Sequence, residues 1–196
     1  MWTSPPRHLF LALTALLWAG SAAAGDVEVT PFGGFQFSGY GVSGGYGGSP
    51  ASAGTTLGTG FYFGATADMA VTPGWRVGLL YSRQQDTGFA VERYLVSVQE
   101  GRGEERNRFF GVGLIGATRF DPRRPGSGSL ARFTVGMGLG GLTYLTPRLA
   151  LRAEARGFFV DSPSSSTLLC NGGCIFLFSA YGVWQGDVSA GFTVRF

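Results

Sequence analysis

The chain contains no lysine; all 15 of its basic residues are arginines. Its single histidine, His8, sits near the amino terminus, and cysteine is limited to Cys170 and Cys174. Charged residues are 14% of the chain, against ~25% in an average soluble domain. Beyond residues 1–24 no stretch approaches the ~18 consecutive apolar residues of a spanning helix. Each scarcity excludes something. Without an imidazole past His8, a serine or cysteine nucleophile lacks its usual base, so no catalytic residue is assigned. Glu104 and Glu105 are adjacent carboxylates, but they fall in a turn and not in a pocket. Two cysteines without histidine fall short of a metal-ligand set, and no metal or cofactor is expected. If the chain enters a membrane it does so as a closed barrel, because no other helix-free structure satisfies its backbone in hydrocarbon.

Glycine and aromatic residues are plentiful, at 34 glycines and 14% aromatics. The sequence pI is about 9.1. The arginines are spread along the chain rather than clustered, so the basic balance does not read as a nucleic-acid footprint. Residues 1–24 carry a leader pattern: Arg7 and His8, the apolar run Leu9–Ala19, then Ala22-Ala23-Ala24 at a small-residue cleavage site. The apolar run is short for an uncleaved anchor. Residues 1–24 are therefore expected to be a cleaved signal peptide, and 25–196 a single barrel domain.

The mature part alternates with period two. Asp187–Phe196 (DVSAGFTVRF) places Val188, Ala190, Phe192, Val194 and Phe196 on one face and Asp187, Ser189, Gly191, Thr193 and Arg195 on the other. Similar alternation runs through Asp26–Ser38, Leu57–Val71, Trp75–Thr87, Phe89–Arg102, Arg108–Phe120, Leu130–Tyr144 and Arg148–Val160. Leu80 breaks the pattern. In Arg108–Phe120 the reading puts Phe110, Val112, Leu114 and Phe120 outward. Arg148–Val160 has good helix formers, yet period two sorts Arg148, Arg152, Glu154 and Arg156 to one side, which a helix would not. Thr72-Pro73-Gly74, Glu104–Asn107 and Thr146-Pro147 read as short turns. Gly39–Thr56, Asp121–Ser129 and Asp161–Leu177 read as longer loops at the opposite end. The fold class predicted is all-β, an eight-stranded antiparallel up-and-down transmembrane β-barrel.

Four constellations bear on chemistry. Glu28, Asp68, Arg76, Arg132, Arg152, Glu154, Arg156 and Asp187 share the inward parity. Eight strands leave an interior that side chains fill, so these charges are expected to pair as a polar network, with inward glycines (58, 60, 64, 78, 111, 113, 136, 138, 140) making room. A water or ion path is the alternative. Two G-x-G-x-x-G matches, at 111–116 and 136–141, lie inside strands with no following helix, which removes the context a dinucleotide site needs. Cys170-Asn-Gly-Gly-Cys174 in an exported chain is expected to be a disulfide that shapes a loop tip.

On these residues the chain resembles the small outer-membrane β-barrel domains: OmpA-type transmembrane domains, OmpW- and OmpX-like proteins and opacity-type adhesins. The likeness rests on TPFGGFQFSG (30–39), GVGLIGATRFDP (111–122), TVGMGLGGLTYLTPRLALRAEARG (134–157) and the terminal DVSAGFTVRF. It implies a monomer in the cell outer membrane of a Gram-negative bacterium. Ser189, Gly191, Val194 and Phe196 would then be an assembly signal read by the barrel-insertion machinery. The expected role is structural or surface-interacting through extracellular loops, adhesin-like, with a host or surface ligand. The alternative is a narrow channel or a carrier of small solutes or small hydrophobic molecules. Outer-membrane lipids, including lipopolysaccharide near Arg123 and Arg124, are the other expected partners, and nucleic acid is not. Deleting Phe196 should lower the amount of inserted, heat-modifiable protein in the membrane fraction; unchanged levels would remove the assembly-signal assignment.

Overall fold

The computed structural model describes residues 27–38, 42–46, 59–85, 89–103, 106–122, 129–161, 167–170, 174–178 and 182–196. Residues 1–24, expected to be a signal peptide, the Glu104–Glu105 pair and Arg123–Arg124 lie outside them. Among the described residues eleven strands are present: β1 (Val27–Ser38), β2 (Val42–Tyr46), β3 (Gly60–Thr72), β4 (Trp75–Gln85), β5 (Phe89–Gly103), β6 (Asn107–Pro122), β7 (Leu130–Thr146), β8 (Leu149–Asp161), β9 (Thr167–Cys170), β10 (Cys174–Phe178) and β11 (Gly182–Arg195). Eight of them form a closed barrel in the order β1-β11-β8-β7-β6-β5-β4-β3. Every neighbouring pair is antiparallel, and β1 closes the ring by pairing with both β3 and β11. A closed ring leaves no unpaired backbone edge, which is what a hydrocarbon surround demands.

Both described chain ends lie with the tight connections at one end of the ring. The amide of Phe196 donates to the carbonyl of Val27 at 3.0 Å, and Gly101 N donates to Gly74 O at 2.8 Å. Gly74 takes φ 83° at the 72–75 turn, a left-handed value that glycine adopts without steric cost. At the next such turn Thr146 Oγ1 accepts from the amides of Arg148 (3.3 Å) and Leu149 (3.0 Å), a side-chain turn of the kind that suits threonine.

Along each strand the burial alternates. On β8 it switches at every residue from Leu149 to Val160, and Phe61, Phe109, Met137 and Leu139 are outward and more than 70% exposed. Toward the long-loop end the outer wall carries the ring contacts Phe35–Phe61, Tyr81–Tyr94 and Phe159–Trp184. Trp75 and Phe196 stand exposed at the turn end. Such aromatic belts mark the two interfaces of a membrane barrel. Outward ion pairs keep to the ends as well: Arg83–Glu92 and Arg119–Asp121 at one, Arg102–Glu100 at the other.

Two expectations are corrected. The first is the face of β6. Phe110, Val112, Leu114 and Phe120 point inward and are buried, while Phe109 and Ile115 face outward. Gly111 and Gly113 therefore lie on the outside, and a Cβ at Gly113 would meet nothing within 4 Å. Both faces of β6 are apolar, so alternation alone does not fix its register; the polar inward residues that do are Arg108 and Thr118. The second concerns the loops. Gly39–Thr56 and Asp161–Leu177 contain β2, β9 and the start of β10, which form a separate three-stranded sheet in the order β2-β10-β9. Cys170 and Cys174 are direct backbone partners in its β9/β10 pair.

Inward glycines receive neighbouring side chains. A Cβ on Gly138 would lie 2.7 Å from Arg156 Cγ and 2.7 Å from the Ala155 carbonyl, and on Gly140 it would lie 2.6 Å from Glu154 Cγ. Replacing Gly138 by leucine should therefore destabilise the barrel by ~1–3 kcal/mol through overpacking, whereas Gly113→Leu should be close to neutral. Urea unfolding midpoints of the two variants in matched micelles check this.

Candidate functional site

The lumen holds the concentrated chemistry of the molecule. At the turn end, Glu28 of β1 is fully buried. It receives Arg108 Nη1 and Nη2 from β6 at 3.2 and 2.7 Å and Arg76 Nη2 from β4 at 3.2 Å. The Tyr144 hydroxyl of β7 also donates to it. One carboxylate thus ties four strands across the bore. Next along the axis, Asp68 of β3 accepts Arg152 Nη1 from β8 at 2.7 Å, Gln99 Nε2 from β5 at 2.6 Å and Ser97 Oγ at 3.3 Å. Arg152 Nε also donates to Glu154 at 3.0 Å. Charge-assisted and partly bidentate contacts of this kind are the strong ones.

Farther toward the long loops, Arg156 donates through Nε to Asp187 at 3.0 Å and through Nη2 to the Tyr62 hydroxyl at 2.8 Å and Ser189 Oγ at 3.0 Å. Arg93 of β5, 1% exposed, reaches across the ring to Gln185 of β11. Three guanidiniums also lie over aromatic rings at 4.7 Å: Arg93 over Phe158, Arg152 over Phe110 and Arg156 over Phe32. A ring face attracts a desolvated cation by ~2 kcal/mol, and here the same rings fill the bore.

All eight residues assigned to the interior network face inward. Glu28, Asp68, Arg76, Arg152, Glu154, Arg156 and Asp187 are buried, and Arg132 is half-buried. Seven of them divide into separate groups: Glu28 with Arg76, Asp68 with Arg152 and Glu154, and Arg156 with Asp187. Ser189 and Gly191 of the terminal stretch face the lumen, while Val194 and Phe196 face outward. The sequence reading missed Arg108, Tyr144, Tyr62 and Gln185, along with the inward phenylalanines. Arg108 was lost with the face of β6, since it shares the parity of Phe110. Tyr62 and Phe32 carried a signal, for each stands in the polar parity of its strand.

Among the described residues no three His, Cys, Asp or Glu side chains gather as a metal site. Replacing Asp68 by asparagine should cost ~3–5 kcal/mol, because it strips a buried guanidinium of a counter-ion. Adding Arg152→Met together with Glu154→Gln to that variant should recover most of the loss, because Glu154, the other carboxylate on Arg152, would otherwise be left buried without a counter-ion. A mutant cycle of unfolding free energies in one detergent measures the coupling.

No protein-family model matches the chain, and no curated protein does. Solved structures do. Neisserial surface protein A (NspA) superposes with TM-score 0.62 at 16% identity, over 87% of this chain and 97% of its own. The N-terminal β-barrel domain of Pseudomonas aeruginosa OprF gives 0.52 at 13% identity, over 86% and 97%. With the apolar exterior, the aromatic belts and the ionised interior, these likenesses establish that this chain has the fold of the small outer-membrane β-barrels.

Proposed function

We propose that the protein is a surface-interaction protein of the outer membrane, with the barrel as a filled anchor and the loop-borne sheet as its contact element. The observation that carries this reading is how the chain is spent. The bore is occupied by buried ion pairs and by Phe32, Phe110 and Phe158, which leaves little for a solute path. Ordered backbone outside the barrel is instead invested in β2, β9 and β10. Register there sets Phe176 beside Leu168 and Gly44, and Phe178 beside Val42. A three-stranded sheet on connections opposite the chain ends suits adhesion. NspA is itself named a surface protein. The Cys170–Cys174 disulfide belongs to this proposal as the staple of the β9/β10 pair. Insertion through the terminal signal, a monomeric state and contact with lipopolysaccharide belong to it as well.

The carrier alternative draws on one observation. A groove of about 550 Å³ crosses the outer wall and is lined by Pro31, Ala65, Ala67, Leu79, Tyr81 and Tyr94 among others. Replacing 162–181 by a short Gly/Ser turn separates the two readings. The expected result is a barrel that still shifts on heating in SDS gels while bacterial attachment to host-cell or matrix surfaces is lost. Planar bilayers holding the intact protein should stay silent. Steady conductance steps, or uptake of small hydrophobic molecules that survives the loop replacement, would favour the carrier.

A further inference from the structure

The two halves of the lumen differ in charge balance. Toward the turns, the carboxylates of Glu28, Asp68 and Glu154 face the guanidiniums of Arg76, Arg108 and Arg152. Toward the long loops, the buried charges are Arg93, Arg156 and Asp187, and Asp187 is engaged by Arg156. Among the described residues Arg93 makes one hydrogen bond, to the neutral Gln185, and it stacks on Phe158. The field of Asp187 reaches Arg93, but that carboxylate is bonded to Arg156, and a desolvated guanidinium without a counter-ion of its own is costly.

The same region gathers side-chain atoms that are buried and, among the described residues, without a hydrogen-bond partner. They are Arg93 Nε, Arg156 Nη1, Gln185 Nε2, Ser82 Oγ and both amide atoms of Gln36, with Asp187 Oδ2 beside them. These residues are contiguous. Gln36 is registered against Asp187 and Asp187 against Arg156. Gln185 lies one inward step from Asp187 and is bound to Arg93, and Arg93 is registered against Ser82. All six side chains are less than 5% exposed. Four nitrogens and a hydroxyl that donate stand against two acceptor oxygens.

We infer that the loop-side half of the lumen binds one small monovalent anion of halide size, held by Arg93, Arg156, Gln36 and Gln185. The donors supply its coordination and its charge offsets that of Arg93. Phe32, Phe158 and Tyr62 pack against these arginines, and a bore filled by side chains favours a monatomic anion over phosphate or a carboxylate. Asp187, committed to Arg156, sets the limit of one anion.

The test uses the intact barrel in uncharged detergent. At constant ionic strength, exchanging gluconate for bromide from ~1 to ~100 mM should raise the melting temperature by roughly 5 °C if the dissociation constant is near ~1 mM. Arg93→Met should abolish the rise. Crystals grown in bromide should show an anomalous peak within hydrogen-bond reach of Arg93 and Gln36. Equal melting in bromide and gluconate, or a lumen that holds only water in bromide crystals, would overturn the inference. So would an undiminished bromide response in Arg93→Met. If that variant does not fold, the wild-type melting and anomalous measurements decide.

Discussion

Every charge on a strand of this protein has one acceptable side. An arginine turned toward acyl chains at mid-depth costs ~2–4 kcal/mol, and a one-residue slip of register would turn a whole strand's set outward at once. The alternation on β8 shows the constraint at work. Arg152, Glu154 and Arg156 are buried between Leu151, Ala153 and Ala155, which face out. The interior that results must then be both filled and neutral. Eight strands give a bore of side-chain width, and the arginines meet both demands together: the stem and ring-stacked head fill space while the fork of N–H donors reaches an acid on another strand. Lysine, a flexible point charge without a flat face, would do this less well. The chain has none.

The strands that speak plainly in the sequence are those whose two faces differ in polarity. β8 and β11 are legible because charge and hydrocarbon strictly alternate. β3 is legible although its inward set includes Tyr62, because Thr66 and Asp68 keep the parity. β6 is not legible from its middle: Phe110 to Ile115 offers hydrocarbon or glycine on both sides, and only its ends carry a decision. Reading Arg108 and Thr118 as the polar face would have recovered both the strand and the second arginine on Glu28. The small sheet was hidden for another reason. Val42–Tyr46 is rich in glycine and serine, and it becomes a strand only by pairing with β10 from the far end of the chain. Non-local pairing of that sort leaves no local pattern. The Cys170–Cys174 segment held the available hint, a tight-turn sequence between two apolar runs.

The network also bears on how the barrel forms. Glu28 is separated by 80 residues from Arg108 and by 116 from Tyr144, and Asp68 by 84 from Arg152. No hairpin of adjacent strands brings these partners together. Before the ring closes, Arg108 and Arg152 lack their long-range acids, and entry into hydrocarbon would be costly for each. When β1 pairs with β3 and β11, Glu28 arrives among Arg76, Arg108 and Tyr144 in the same step that removes the last sheet edges. Backbone closure and charge neutralisation are then one event, which penalises partly closed sheets twice and makes the transition cooperative. The loop-side half works differently. Arg156 finds Asp187 on the neighbouring strand β11, but Arg93 depends on Gln185 across the ring, and neither brings a surplus carboxylate. Among the described residues, the buried charges balance at the turn end and leave a surplus of arginine toward the long loops, so the loop-side half is the one open to influence from solution.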